Sequence, residues 1–378
     1  MNSCIDFPDP HNSAAPRLRR RFDAPSAVLA AYHPDDVMPV LNAVEQAARA
    51  GHWCVGWLRY EAAQAFDKAF ADTLHAVPYG EPLAWFGVHE QVQDWREENA
   101  AAEAPLSTWL PGIERASFDA AVAAIQAAIA AGDCYQVNFT TQLAGRLRGN
   151  ASTLFSALRR VQPAGYVAAI DSGKEQVLSV SPELFFDWDG ARILTRPMKG
   201  TAPRGATPAE DAARAEAMRS SPKERAENVM IVDLLRNDLS RIALPHSVQA
   251  SRLFHAEALP TVWQMTSDVE ALTRPGAQLA DVFGALFPCG SVTGAPKRQA
   301  MRWIRQLEPC PRGVYCGALG IVRPDATPGS MHATFNVPIR TVTVRGDKLR
   351  CGIGSGITIG STAEAEWREW CYKRAFLG

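Results

Sequence analysis

A lysine, a carboxyl group and two pairs of glutamates have the settings that chemistry would need. Lys199 lies in TRPMKGTAPRG, where Pro197 and Gly200 restrict the backbone on either side. Most such lysines are solvated cations; one becomes a nucleophile where desolvation or nearby cations depress its pKa. Glu183, in SVSPELFF, sits among apolar neighbours. That setting raises a carboxyl pKa and suits it to proton transfer, although Ser181 and Pro182 equally mark a turn. Glu224 with Glu227, and Glu366 with Glu369, are spaced i, i+3, so each pair occupies one helical face. These acids read either as caps and solvated side chains or as two faces gathered around magnesium. That hard ion takes one or two carboxylates, keeps waters and leaves positions for an anionic substrate.

Two glycine-rich stretches invite an anion. LFPCGSVTGAPKRQAM (286–301) runs into a helix, a place where free backbone N–H groups bind anions. Its G-x-x-x-G-x-x-K spacing, with Pro296 before Lys297, is not that of a nucleotide-binding loop. Gly352, Gly354 and Gly356 lie too near the C-terminus to open a βαβ unit. They read as a turn, or as backbone that lets a carboxylate approach closely.

The elements that must position these residues follow from patterning. A helix is predicted from Ser117 to Gly132, the glycine acting as its cap, and CYQVNFTTQLAGRL follows with strand composition. Further strands are predicted at YVAAID, QVLSVS, LFFDWD, ARILTR, GALGIV, ATFNVPIRTVTV and LRCGIGSGITI, many close enough to pair through tight turns. Ser221, Pro222 and Glu224 predict a capping box opening one acidic helix, and Ser361 with Glu364 predicts another. Large antiparallel sheets with helices on their outer faces are the expected architecture. The polar stretch DWREENAAAEAP (94–105) is the expected linker.

Bulk properties narrow the function classes. The 378 residues are 47% apolar, enough for a large core, and 39 basic residues against 40 acidic leave a net charge of −1. No global field then favours nucleic acid or an anionic membrane surface. The longest apolar run, AAVAAIQAAIAAG, is too short to span a bilayer. RLRRR (17–21) is followed by Asp23 and Pro25 rather than an apolar stretch and reads as a solvated arm. Eight scattered cysteines without a C-x-x-C pair read as reduced thiols of a cytoplasmic protein.

Over roughly residues 115–374, the segments GDCYQVNFT, SPELFF, TRPMKGTAPRG, RAENVMIVDLLRNDLSRI, FPCGSVTGAPK, GVYCGALGIV, IRT and GIGSGITIGSTAEAEW together resemble the chorismate-utilising enzymes. GWLRYEAAQAFD resembles the N-terminal region of that family, which includes anthranilate, aminodeoxychorismate, isochorismate and salicylate synthases. The resemblance implies an α+β fold, a large antiparallel β-sandwich flanked by helices. It also implies an N-terminal region (1–105) packed on a chorismate-binding catalytic domain (115–376). By motif match, Glu227 and Glu369 would hold Mg2+, supported by Glu224 and Glu366. Tyr315, Arg340 and the backbone of Gly354, Ser355 and Gly356 would receive the enolpyruvyl carboxylate, while Gly200 and Thr201 line the ring.

Two positions select the reaction that the resemblance implies. Gln136 stands where water-adding members have a lysine base. Lys199 stands where anthranilate synthases have alanine and aminodeoxychorismate synthases have lysine. Amination of chorismate at ring carbon 4 is therefore expected, with Lys199 as nucleophile and Glu183 as proton donor. Ammonia would come from a separate glutamine amidotransferase subunit. The rival readings are anthranilate synthesis and an inactive chorismate-binding paralogue. Gln264, Gly360 and Cys289 depart from the family's usual histidine, aspartate and glycine.

Overall fold

In the computed structural model, which describes residues 2–95, 107–163, 165–259 and 262–377, the chain forms four layers: helices, sheet, sheet, helices. The expected linker lies largely outside the described residues. The first sheet runs Gly294–Ala295, Gln136–Leu147, Lys348–Thr358, Thr341–Arg345, Gln176–Ser181, Tyr166–Asp171, Ser3–Phe7, Leu18–Phe22 and Gln93–Asp94, with Ser107–Trp109 also pairing onto Gln136–Leu147. The second runs Met198–Pro203, Val262–Leu272, Arg192–Arg196, Leu184–Trp188, Met331–Asn336, Ala318–Pro324, Trp53–Leu58, Ala84–His89 and Ala27–Ala31, with Gln249–Ala258 also pairing onto Val262–Leu272.

Alternation explains how the layers stack. Along Gln136–Leu147, Val137, Phe139 and Leu143 face the helices Arg115–Ala130 and Ala363–Arg374, so the intervening residues face the other sheet. Between the sheets pack Ile5, Phe7, Phe22, Val55, Leu319 and the stacked pair Trp57 and Trp85, whose ring centroids are 4.9 Å apart. Beyond the second sheet, the helices Pro34–Arg49, Pro222–Ser240 and Leu279–Leu286 cover an aromatic cluster around Phe186, Phe283 and Phe335. Among the described residues no helix is long and apolar enough to cross a membrane. All eight cysteines are free.

Three local expectations are corrected. RLRRR is not a solvated arm: Leu18–Phe22 is a strand paired with Ser3–Phe7. The buried Asp6 carboxylate draws it in, accepting from Arg17 Nε at 2.5 Å with Arg19 at 3.2 Å, because a buried charge must be paired. The C-terminal acidic helix is capped by Thr362, not Ser361. Ser361 instead donates to the buried Glu366 carboxylate at 2.7 Å. Gly352, Gly354 and Gly356 form no turn; they lie within a strand paired along its whole length. The helix from Arg115 to Ala130 does end on Gly132, whose φ of +86° supplies the left-handed cap. At Ser221 half of the capping box forms. The hydroxyl accepts from the Glu224 amide, while the Ser221 amide donates to Met218, which leaves the Glu224 carboxylate unused by the cap.

Candidate active site

Two connections carry the chain between the sheets at one place. Gln176–Ser181 of the first sheet leads into Leu184–Trp188 of the second, and Met331–Asn336 of the second leads back into Thr341–Arg345 of the first. They are stitched together: the Ser181 hydroxyl donates to the Val337 carbonyl at 2.5 Å, Val337 N–H to Glu183 at 3.1 Å, and Val180 N–H to Arg340 at 3.1 Å. The first crossover carries Glu183 and the second carries Arg340. Arg340 adopts φ +48°, a left-handed conformation that costs a side chain about 1–2 kcal/mol and that the neighbouring hydrogen bonds enforce. Its guanidinium donates to Gln162 at 2.6 Å, and burial depresses its pKa. No carboxylate among the described residues pairs with it, so it is free to accept an anion.

Gln136 and the glycine strand form the floor. In register, Thr358 lies opposite Gln136, Gly356 opposite Asn138 and Gly354 opposite Thr140. Gln136 is wholly buried, yet neither its amide oxygen nor its amide nitrogen has a hydrogen-bond partner. A buried orphan costs about 1–3 kcal/mol, which is a reason to look for a ligand there. A Cβ on Gly356 would lie 2.8 Å from the Gln136 amide nitrogen and 3.1 Å from Lys199 Nζ, so the glycine keeps open the space these two groups share. Ser355 points the other way, donating to Glu366 at 2.5 Å and accepting from the Trp370 indole at 2.9 Å. Only its backbone faces the site.

Lys199 comes from Met198–Pro203, whose pairing with Val262–Leu272 slips in register between Met198 and Thr201, with Gly200 at φ +93°. Such bulges re-aim a side chain. Lys199 Nζ lies 3.5 Å from the Ser291 carbonyl and makes no ion pair among the described residues. Burial pulls its pKa down, against Glu227, Glu183 and Glu369 and with the help of Lys373. Burial pushes the Glu183 carboxyl up to about 7, against the Ser291 hydroxyl and the two lysines, and Glu183 Oε1 has no partner. Gln264 braces the bulge from both ends: its amide nitrogen donates to the Gly200 carbonyl at 2.8 Å and its oxygen accepts from the Thr201 hydroxyl at 3.1 Å. We expect Gln264→Leu to lower stability by about 1–3 kcal/mol and to slow turnover at unchanged substrate KM, read from denaturant melts and steady-state rates. Gln264→Glu keeps the bond from Thr201 but not the one to Gly200, and should fall between.

The helices Pro222–Ser240 and Ala363–Arg374 bring their acids to the same space. A Cβ on Gly200 would lie 3.0 Å from Glu224 Oε2. Burial raises the pKa of Glu224, with Glu369 and Glu366 adding to the rise, and it raises Glu227 likewise. Glu369 is half-exposed; partial desolvation pushes its carboxyl up, but the contact with Lys373 at 2.6 Å pulls its pKa down overall. Lys373 also donates to the Gly354 carbonyl at 2.9 Å. Glu366 accepts from both Ser355 and Ser361. Among the described residues no three His, Cys, Asp or Glu side chains are grouped to hold a metal by themselves. Tyr315 lies with its ring on Gly352, where a Cβ would be 2.2 Å from Cδ1. The arrangement offers a desolvated amine, a carboxyl poised near neutrality, a guanidinium without a carboxylate partner among the described residues, and acids that repel one another.

Residues 11–377 match the family model described as chorismate binding enzyme. The chain belongs to that family. It is 39% identical over 279 residues to aminodeoxychorismate synthase component 1 of Klebsiella aerogenes, covering 73% of this chain and 61% of that one. It is 38% identical over 271 residues to anthranilate synthase component 1 of Streptomyces coelicolor, covering 71% and 52%. The chain thus spans little more than half the length of these curated relatives. The crystal structure of anthranilate synthase component I from Streptococcus pneumoniae superposes with a TM-score of 0.78 over 100% of this chain and 90% of that one, at 24% identity, and shares the fold.

Among chorismate binding enzymes this chain's departures now have surroundings. Cys289 is buried, with Sγ 3.2 Å from the Ser291 hydroxyl, and burial pushes its thiol up to about 12. Gly360 borders open space. Two further site residues escaped the sequence reading. Ser291, beside Glu183 and Lys199, belongs to a loop whose local pattern suggested only anion binding. Lys373 was signalled by its i, i+4 spacing from Glu369.

Proposed function

We propose that the chain is the chorismate-aminating component of an aminodeoxychorismate synthase, converting chorismate and ammonia to 4-amino-4-deoxychorismate. The observation that carries this reading is the desolvated Lys199 amine sharing one space with Glu183 and the unpartnered Gln136 amide. A neutral amide at Gln136 does not activate water, so a hydration reaction has no base there. The names of the relatives support the reaction class, and the component naming supports a partner amidotransferase that releases ammonia from glutamine.

In the proposed reaction the Lys199 amine attacks ring carbon 2. The ring double bonds shift, and the 4-hydroxyl leaves as water with a proton from Glu183. Ammonia then attacks ring carbon 4, the double bonds shift back, and the bond to Lys199 breaks with its electron pair returning to the amine. Glu183 takes a proton from the incoming nitrogen. One hard displacement becomes two easier ones. Arg340, Tyr315 and the backbone of Gly354–Gly356 would hold the enolpyruvyl carboxylate, and Gly200 and Thr201 would flank the ring. Mg2+ fits the acidic side: beyond burial, Glu369 and Glu366 push Glu224 up and Glu224 and Glu366 push Glu227 up, a mutual repulsion that Lys223, 3.9 Å from Glu227, offsets only in part, and two carboxylates with waters satisfy this ion without a third protein ligand. Glu227 and Glu369 would hold it, with Glu224 and Glu366 in support. When bound, it would offset the charge of the substrate's ring carboxylate.

A lyase-coupled assay tests the reading. With chorismate, ammonium and magnesium, 4-aminobenzoate should form only after an aminodeoxychorismate lyase is added. Anthranilate fluorescence appearing without lyase would replace this reading with the rival one.

A further inference from the structure

The sheet face that carries Gln136 and Gly354 continues along the same strands to a second cavity of about 520 Å³. Gly352 and Tyr315 bound it on the side of the candidate active site, and Leu110 and Val314 make part of its wall apolar.

Its rim carries an arrangement that sheets avoid. Arg345, Lys348 and Arg146 are direct register partners across three adjacent strands, so three cations leave one face side by side. Like charges placed directly opposite destabilise a sheet. Arg350 adds a fourth, two residues along the same face from Lys348. Protein carboxylates answer two of the four. Arg345 pairs with Glu175 at 2.7 Å and with Glu81, and Arg146 pairs with Asp347 at 2.6 Å. Arg59 and Arg312 also reach the cavity but are engaged, by Glu175 and by Glu308 respectively. Lys348 and Arg350 have no ion-pair partner among the described residues.

Two unmatched cations at the rim of a partly apolar cavity suit an anion with an apolar body. A polyphosphate would require a denser set of free donors. We propose that this cavity is a binding site for a small aromatic carboxylate, held by Lys348 and Arg350 and separate from the site of Lys199. The inference does not depend on the reaction proposed above.

Calorimetric titration with 1-naphthoate tests it on three proteins: wild type, the double variant Lys348→Ser with Arg350→Ser, and Arg340→Gln. Lys348 and Arg350 are exposed, so the double variant should keep the wild-type unfolding midpoint. Wild type is expected to bind one naphthoate. The double variant should lose about tenfold or more in affinity, the loss of roughly one charge-assisted contact, while Arg340→Gln stays within about twofold of wild type. Absence of binding to wild type, which would mean a merely solvated cationic rim, overturns the proposal. Unchanged affinity in the double variant, or a comparable loss in Arg340→Gln, which would place the probe in the candidate active site, overturns it too.

Discussion

Lys199→Ala is expected to abolish a covalent intermediate and to cut the amination rate by about 10²-fold or more. With chorismate and magnesium but no ammonia, intact-protein mass spectrometry of the wild type should show the mass of one chorismate less one water on Lys199. The alanine variant should show none. Lys199 also supplies a positive charge felt by Glu227, Glu183 and Glu369, so a slow alanine variant alone would not separate charge from nucleophilicity. Lys199→Arg does. Arginine keeps the charge but stays protonated at any working pH, so it too should lack the adduct and turn over slowly. A wild-type rate in either variant would remove Lys199 from the nucleophile's role.

Glu183→Gln should lower kcat/KM by about 10²–10⁴-fold, the usual contribution of one positioned acid or base. The pH profile provides a second readout. The proposed first step needs Glu183 protonated and Lys199 neutral, so wild-type kcat/KM should be bell-shaped. The variant has no carboxyl to ionise and should lose the alkaline fall, its residual rate climbing with pH to a plateau. Stability should move in the opposite direction to activity. Glu183 is raised in the folded protein from 4.5 to about 7. Its contribution is therefore fully present below pH 4.5 and is lost as pH rises through about 7, a swing of roughly 3 kcal/mol. Glutamine escapes that loss, so above pH 7 Glu183→Gln should be the more stable and the slower protein. A variant that is less stable above pH 7 would mean that the carboxylate serves the fold instead.

Much of this architecture can be read from local pattern. Alternation in QVNFTTQL places Gln136 and Thr140 on the face opposite Val137 and Phe139, and Gly132 marks its helix end without reference to anything distant. Apolar neighbours of Glu183 announce its burial. What local pattern misreads is set by partners far along the chain. RLRRR looks solvated because the carboxylate that orders it, Asp6, comes from another strand. Ser361 has the cap signature but is claimed by Glu366. Nothing near Gln264 indicates that it braces Gly200 and Thr201, 64 and 63 residues away. The left-handed backbone of Arg340 is likewise invisible in NVPIRT, since a crossover between sheets imposes it. The pairing of Lys373 with Gly354 depends on how a terminal helix lies along a strand.

Strands from the first hundred residues are woven into both layers of the sandwich. Ser3–Phe7 lies between Tyr166–Asp171 and Leu18–Phe22, and Trp53–Leu58 lies between Ala318–Pro324 and Ala84–His89. A protein lacking them would present two raw edges, each a row of unpaired N–H and C=O groups open to pairing with a neighbouring molecule. The motifs proposed for catalysis all lie further along, yet a shortened chain carrying every one of them would be prone to aggregate.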